Sequence, residues 1–409
     1  MKCRHCGADA TLLLVDLGSA PPSNAFLTRE ALRGPEVWLP LRVLVCERCW
    51  LVQTEDFVRA DQLFAADYTY FSSYSTGWLS HAERYVAEMV ARFALDTDSH
   101  VVEVAANDGY LLQYVKARGI PCTGIEPTAS TAAAARERGI SIVEAFFGVE
   151  LAEELARDRR HADLVTANNV LAHVPDINDF VRGFALLLKP SGVATFEFNH
   201  VKQLIDGCQF DTIYHEHFSY LSLSAVDRIF SAAGLAVFDV EELPTHGGSL
   251  RVFAQRGDTG RHPRTPAVDA LLAAEDEAGV RSSSYYAGFQ ERALKIKHEF
   301  LSFLLTTRAA GRTVVGYGAA AKGNTLLNFA GVRPDLVTFV ADRNPAKQGK
   351  FLPGSRIPVV GEEKLGTARP DFIVILPWNL RDEVTSQLAY VSAWGGRFVT
   401  AVPELRIWG

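Results

Sequence analysis

The sequence predicts an α/β chain of three units: a small N-terminal cysteine-rich module, a central doubly wound domain and a C-terminal Rossmann-like α/β domain. Three observations carry this. Two CxxC knuckles, Cys3-x-x-Cys6 and Cys46-x-x-Cys49, stand within the first fifty residues. From His100 onward, short apolar runs alternate with amphipathic helical stretches, the mark of an open, mostly parallel sheet covered on both faces. Farther on, RTVVGYGAAAKGNTLLNFA followed by DLVTFVADRNP repeats the same grammar of strand, small-residue turn, helix and strand ending in an acid. At 409 residues the chain exceeds one ordinary core, and the boundaries fall at 1–67, 68–285 and 286–409.

Each unit has its own justification. In the first, CRHCGA carries a Gly just after its second Cys and CERCW leads into the strand-like WLVQT, so both knuckles read as turns. Four thiolates suit a tetrahedral zinc site, although the gap of roughly forty residues exceeds the usual zinc-ribbon spacing. With every position filled by sulfur no site stays open for water, so Cys3, Cys6, Cys46 and Cys49 point to a structural zinc. Cys122 and Cys208 are singles, and the N-terminus MKCRHC lacks a secretory profile, which argues against disulfides and for a soluble, cytoplasmic protein. No run of apolar residues is long enough to span a membrane.

An aromatic stretch, DYTYFSSYSTGW, then reads as a linker or lid before a helix at Leu79–Phe93. The central unit continues as strand (HVVEV), turn (AANDG), helix, strand (CTGIEP), helix (Ala129–Arg138), strand (SIVEAFF), helix, strand (ADLVTANNVLAHV), helix (Ile177–Leu188) and strand (GVATFEF). A long helical stretch from about Pro266 to Arg308 leads to the third unit. There PDFIVILPW and RFVTAVP supply further strands.

The central turn locates a cofactor. Ligands of doubly wound sheets bind outside the carboxyl ends of the strands. In EVAANDGY the candidates are Glu103, Ala105, Asn107, Gly109 and Tyr110, and Glu126 at the end of the next strand can accept both ribose hydroxyls. The turn departs from GxGxxG, and Ala105 would hinder a pyrophosphate. S-adenosylmethionine has no pyrophosphate and tolerates it. Asn168 and Asn169 follow the fourth strand, with His173 just beyond. The net charge of −7 excludes a general nucleic-acid binder.

The densest polar cluster is FDTIYHEHFSYLS, with Tyr214, His215, Glu216, His217 and Tyr220. HxH lacks the HExxH spacing of a helical zinc site. Structural histidines are one reading; acid–base chemistry, with a carboxylate orienting an imidazole, is the other.

Taken together, SAPPSNAF, DYTYFSSYS, VVEVAANDGYLLQ, GIEPT, NNVLAHVPD, YHEHFSYLS, THGGSLRV, GYGAAAKGNTLL and the two knuckles resemble the zinc-containing sugar-nucleotide C-methyltransferases of antibiotic deoxysugar pathways. The resemblance covers essentially the whole chain. It implies a central domain of class I methyltransferase type and S-adenosylmethionine-dependent methylation at C-3 of a dTDP-linked 4-ketosugar by a monomer. It further implies that His217 removes the C-3 proton with help from Tyr214 and Glu216, that Tyr68 and His173 line the substrate, and that His215 is structural. FEFNH, the string that ends in His200, departs from the family's FEFPH. Arg251 in THGGSLR and Lys322 in the second Gly/Ala turn are candidate pyrophosphate ligands, with His246 beside them. A non-catalytic zinc and S-adenosylmethionine-binding scaffold, or a nicotinamide-dependent sugar-nucleotide oxidoreductase, are the alternatives.

Overall fold

The computed structural model describes residues 1–57, 63, 71–158 and 160–409. Three sheets organise them. In the first, β1 (Leu12–Ala20), β2 (Leu39–Val45) and β3 (Val52–Thr54) form an antiparallel meander. Leu41, Val43 and Val45 alternate inward along β2, the period of a strand with one buried face. The second CxxC knuckle is the β2–β3 turn, closed by Cys46 N–H to Leu51 O (3.0 Å) and Trp50 N–H to Cys46 O (2.7 Å). The fourth strand, β9 (Ser219–Tyr220), is borrowed from the YHEHFSY segment: Val52 pairs with Tyr220 and Gln53 with Ser219.

The second sheet has seven strands: β4 (Val101–Val104), β5 (Cys122–Ile125), β6 (Ser141–Val143), β7 (Ala162–Asn168), β8 (Leu188–Asn199), β10 (Leu235–Leu243) and β11 (Ser249–Arg256). Their order is β10-β11-β8-β7-β4-β5-β6. Every described pairing is parallel except those of β11, which runs against both neighbours. All four residues of VVEV in β4 are buried, as a central strand covered on both faces requires. The chain leaves β4 toward β5 on one side and places β7 on the other, so the crevice opens at the ends of β4 and β7. The β10–β11 hairpin has no counterpart in the sequence reading. A bulge between Val237 and Asp239 breaks its period of two, which hides the strand pattern.

The third sheet is β14-β13-β12-β15-β16-β17, built from β12 (Val314–Tyr317), β13 (Val340–Ala341), β14 (Val359–Val360), β15 (Phe372–Ile375), β16 (Arg397–Thr400) and β17 (Arg406–Trp408). It is parallel up to the final antiparallel strand. The helical stretch before it divides into Pro266–Ala278, Ser283–Tyr286 and Phe289–Ala309. Gly279 (φ 87°) and Gly288 (φ 75°) make the breaks, because left-handed backbone cannot continue a helix.

One apolar cluster runs through Val43 of the first sheet, Leu204 and Phe210 of the central unit, and Leu326 and Val340 of the third. The units therefore share buried surface, and the functional crevice lies where they meet. No helix among the described residues is long and apolar enough to cross a membrane.

Candidate active site

A cavity of about 850 Å³ opens at the carboxyl ends of β4 and β7 and is walled by all three units. That is the size of a site for one or two mid-sized ligands. On its cofactor side, the turn after β4 places Ala105 and Asn107 in left-handed conformations (φ 59° and 50°), as is Asn169 after β7 (φ 54°). Such backbone is costly for residues with a Cβ and tolerated best by Asn. It brings Ala105, Asn107, Tyr110, Glu126, Asn168 and Asn169 onto one wall. Glu126 Oε2 accepts from Asn107 N–H (2.9 Å) and Oε1 from Thr128 N–H (3.0 Å). Thr128 Oγ1 also donates to Oε1, so of the roughly four acceptor positions of a carboxylate the free capacity is on Oε2, and a ribose hydroxyl pair would displace the Thr128 hydroxyl from Oε1.

Glu103 and Gly109 take different places from the sequence expectation. Both lie behind the turn and not on the cavity wall. Glu103 is 1% exposed, and burial pushes its carboxyl well above the ordinary carboxylate range. Gly109 packs so closely that a Cβ would stand 2.4 Å from Ile140 Cδ1. They support the turn from below.

The lid stretch is pinned to this turn where it is described, Asn107 Oδ1 accepting from Ser72 N–H (2.9 Å). Tyr68 lies outside the described residues. From Ser75 the chain enters helix Thr76–Phe93, and Trp78 from its first turn faces the cavity with its ring 5.9 Å from that of Tyr110.

In the same cavity, His217, Tyr214 and His173 pack their rings together: 3.9 Å between the centroids of Tyr214 and His217, and 4.6 Å between His173 and His217. His217 Nδ1 lies 2.8 Å from Thr212 O. A carbonyl only accepts, so Nδ1 carries the proton and Nε2 keeps its lone pair. Burial, then the neighbouring His173 and Lys322 charges, push His217 well below the ordinary histidine value. It is therefore neutral, the form that accepts a proton. Burial likewise brings His173 to about 4. The sequence reading gave the orienting role to a carboxylate; the structure gives it to the Thr212 carbonyl. The carboxylate of Glu216 instead accepts from Asn24 Nδ2, 2.8 Å from each oxygen. His215 is buried with Nε2 3.1 Å from Pro40 O, away from the cavity, in keeping with a structural role.

Arg251 requires a correction. It lines the cavity, but its guanidinium already meets Glu241 (2.9 Å), Glu88 (3.4 Å) and Glu197 (3.4 Å). Three carboxylates around one cation repel a pyrophosphate, so Arg251 holds β8, β10 and the Thr76–Phe93 helix together instead. Burial alone would raise Glu197, but the His81 hydrogen bond (2.8 Å) and the charges of His81 and Arg251 outweigh it and hold it down. Lys322 does face the cavity, from the helix Ala321–Phe329, donating to Asn379 Oδ1 (2.8 Å) with Nζ 4.8 Å from the Trp378 ring centroid. Lys347 joins it from the same unit, donating to Ala319 O (2.9 Å). Asp211, buried between units, accepts from Trp378 Nε1 (2.8 Å), and burial raises it to about 6. His246 reaches the cavity at φ 55°, edge-on to Trp78, its carbonyl accepting from Asn199 Nδ2 (3.3 Å). Asn24, His81, Lys347 and Asn379 are cavity residues that sequence reasoning missed. Only the quoted SNAF string marked one of them.

Away from the cavity, the sulfur atoms of Cys3, Cys6, Cys46 and Cys49 lie within 4.8 Å of one another. The pairs Cys3–Cys49 and Cys6–Cys46 stand 3.5 Å apart. Four sulfurs about 2.3 Å from a central zinc would be separated by about 3.8 Å, so the cluster fits a ZnS4 site and is too open for disulfides.

Three family models match the chain: a zinc binding domain over residues 3–64, a methyltransferase domain over 78–240 and a C-methyltransferase C-terminal domain over 244–403. The C-methyltransferase NovU of Streptomyces niveus is 36% identical over 406 residues, covering 99% of this chain and 96% of its own length. A ubiquinone biosynthesis O-methyltransferase of Marinobacter nauticus is 36% identical over only 95 residues, 22% of this chain and 40% of that protein. Among solved structures, the magnesium protoporphyrin IX methyltransferase ChlM of Synechocystis with bound SAM superposes with a TM-score of 0.34 at 16% identity. It covers 44% of this chain and 80% of that one.

Proposed function

Because this chain belongs to the family of zinc-binding, S-adenosylmethionine-dependent C-methyltransferases that includes NovU, we propose that it methylates C-3 of a dTDP-linked 4-keto-deoxysugar. The observation that carries this reading is a neutral imidazole, His217, with its free Nε2 in the same cavity as the cofactor turn.

Carbon becomes nucleophilic only after deprotonation, and a ketone at C-4 acidifies its neighbours by taking the charge onto oxygen. His217 Nε2 accepts the C-3 proton: the C–H bond breaks, an N–H bond forms, and the electron pair moves into an enolate. Tyr214, packed on the same ring, is the donor for the enolate oxygen. S-adenosylmethionine, when bound, supplies an electrophilic methyl group as a sulfonium. Ala105, Asn107, Tyr110, Asn168 and Asn169 would hold it, with Glu126 on its ribose. They line the same cavity as His217, which would bring the methyl donor and the sugar carbon together. Lys322 and Lys347 lie at the third unit's end of the cavity and would take the diphosphate in charge-assisted hydrogen bonds. The three carboxylates around Arg251 disfavour it at the other end.

The test is product analysis. Incubation with a dTDP-4-keto-6-deoxyhexose and methyl-labelled S-adenosylmethionine should give a sugar nucleotide heavier by one methyl group, with the label on C-3 by carbon NMR. A label on C-5, the other neighbour of the ketone, would overturn the position; a label on oxygen or nitrogen would overturn the reaction.

A further inference from the structure

We propose that Asn24, from the N-terminal unit, is a positioning residue for the cavity carboxylate of Glu216, so that the zinc-bearing unit completes the catalytic wall. The inference rests on the proposed C-methylation and on the expectation from the family resemblance that Glu216 assists it, as a carboxylate acting on the substrate and not as the group that orients His217. It stands on geometry that none of the sequence motifs anticipated.

Glu216 is 2% exposed, and its carboxylate and Asn24 both line the cavity. Asn24 Nδ2 lies 2.8 Å from both carboxylate oxygens, across 192 residues of chain. Because a carboxylate can only accept, the amide nitrogen faces it. A lysine or arginine here would neutralise the group; an amide fixes its plane and leaves the negative charge in place. That suits a carboxylate that must act on a substrate proton or hydroxyl.

Asn24 is itself held from two sides. Pro21 and Pro22 restrict the backbone before it, and Ala25 N–H donates to Pro22 O (3.1 Å) to close the turn. The third unit clamps the same turn, Asn324 Nδ2 donating to Ser23 O (2.6 Å). The N-terminal unit also grips the catalytic segment by its backbone. Thr54 Oγ1 donates to His217 O (2.8 Å), and Thr54 N–H to Phe218 O (3.2 Å). Cys49, a zinc ligand by the sulfur geometry, is three residues from the start of β3, the strand that carries Thr54. Those contacts hold the main chain and lie outside the cavity. Asn24 holds a functional side chain inside it, which separates positioning from mere packing.

The experiment is a double-mutant cycle on the full-length zinc-loaded protein: Asn24→Ala, Glu216→Gln and the double variant, with kcat and KM for methyl transfer to a dTDP-4-keto-6-deoxyhexose. Zinc content and S-adenosylmethionine affinity are measured alongside to establish that each variant is folded. Asn24→Ala should lower kcat by ~10- to 100-fold, with KM and cofactor affinity within about threefold, as loss of a charge-assisted bond acting in the chemical step predicts. The double variant should be no worse than Glu216→Gln alone, within about twofold, because Asn24 acts through Glu216. Asn24→Asp, the same shape with the donor replaced by a like charge, should lose at least as much. Multiplicative losses, or normal kcat in either Asn24 variant while Glu216→Gln is impaired, would overturn the inference alone. Normal kcat in Glu216→Gln would instead overturn the catalytic reading of Glu216 on which it rests.

Discussion

Replacing His217 by asparagine removes the imidazole Nε2 while keeping, in the amide, a donor that can reach the Thr212 carbonyl now 2.8 Å from Nδ1. The cavity should keep its shape, since Tyr214 and His173 pack against the ring position from two sides. What is lost is the proton acceptor. A positioned general base contributes roughly 10²- to 10⁴-fold, which at 1.36 kcal/mol per factor of ten is about 3 to 5 kcal/mol of barrier. The loss should fall on kcat, because the base acts only when the proton is in flight, while S-adenosylmethionine affinity, assigned in the proposal to the turns after β4 and β7, stays within a few-fold. Single-turnover methyl transfer followed by mass spectrometry, with cofactor binding by calorimetry, measures both. Turnover within threefold of the unmodified protein would refute the assignment of the base.

Four further outcomes follow from the geometry. His173 and His246 are brought to about 4 by burial, and His215 and His217 are lowered by the same cause. Each takes up its proton on unfolding, so stability is full above about pH 6.5 and falls as pH drops from there toward 4. Thermal melts across that range should show it, and a flat profile would contradict neutral buried histidines. Arg251→Ala should leave KM for the sugar nucleotide near normal but destabilise the fold by roughly 3–5 kcal/mol, as breaking a buried ion pair does; denaturant titration checks this, and a selective rise in KM would restore Arg251 as a substrate ligand. Lys322→Ala should raise KM for the diphosphate-linked sugar at least tenfold, a charge-assisted bond being worth about 1.5–3 kcal/mol, and unchanged KM would remove it from the anion site. Elemental analysis should find about one zinc per chain, and Cys49→Ser should lower both zinc content and melting temperature; a folded, active, metal-free sample would count against the site.

Local patterns told a great deal about this molecule. The CxxC spacing exposes thiol chemistry because a knuckle is a short-range object. The AANDG turn and Glu126 are likewise set by one strand–turn–helix unit, and Asn168–Asn169 by a strand end whose second residue must adopt φ 54°. Tertiary partners stayed hidden. Arg251 looks like a free cation in THGGSLR, and only the fold brings Glu88, Glu197 and Glu241 around it. Thr212 orients His217 through a backbone carbonyl, which no side-chain pattern encodes. Asn24 and Lys347 reach the cavity from opposite ends of the chain. Glu103 and Gly109 read as cofactor ligands because the turn motif does not say which side of the strand end faces the ligand. The hairpin β10–β11 was lost to a bulge.

Solvent exchange at the sugar reaches the heart of the matter. In heavy water, with S-adenosylhomocysteine in place of the methyl donor, the protein should wash deuterium into C-3 of a dTDP-4-keto-6-deoxyhexose faster than solution does, and the His217→Asn variant should not. A bound ketosugar that keeps its C-3 hydrogen, or equal exchange in both proteins, would mean that His217 does not make the carbon nucleophile.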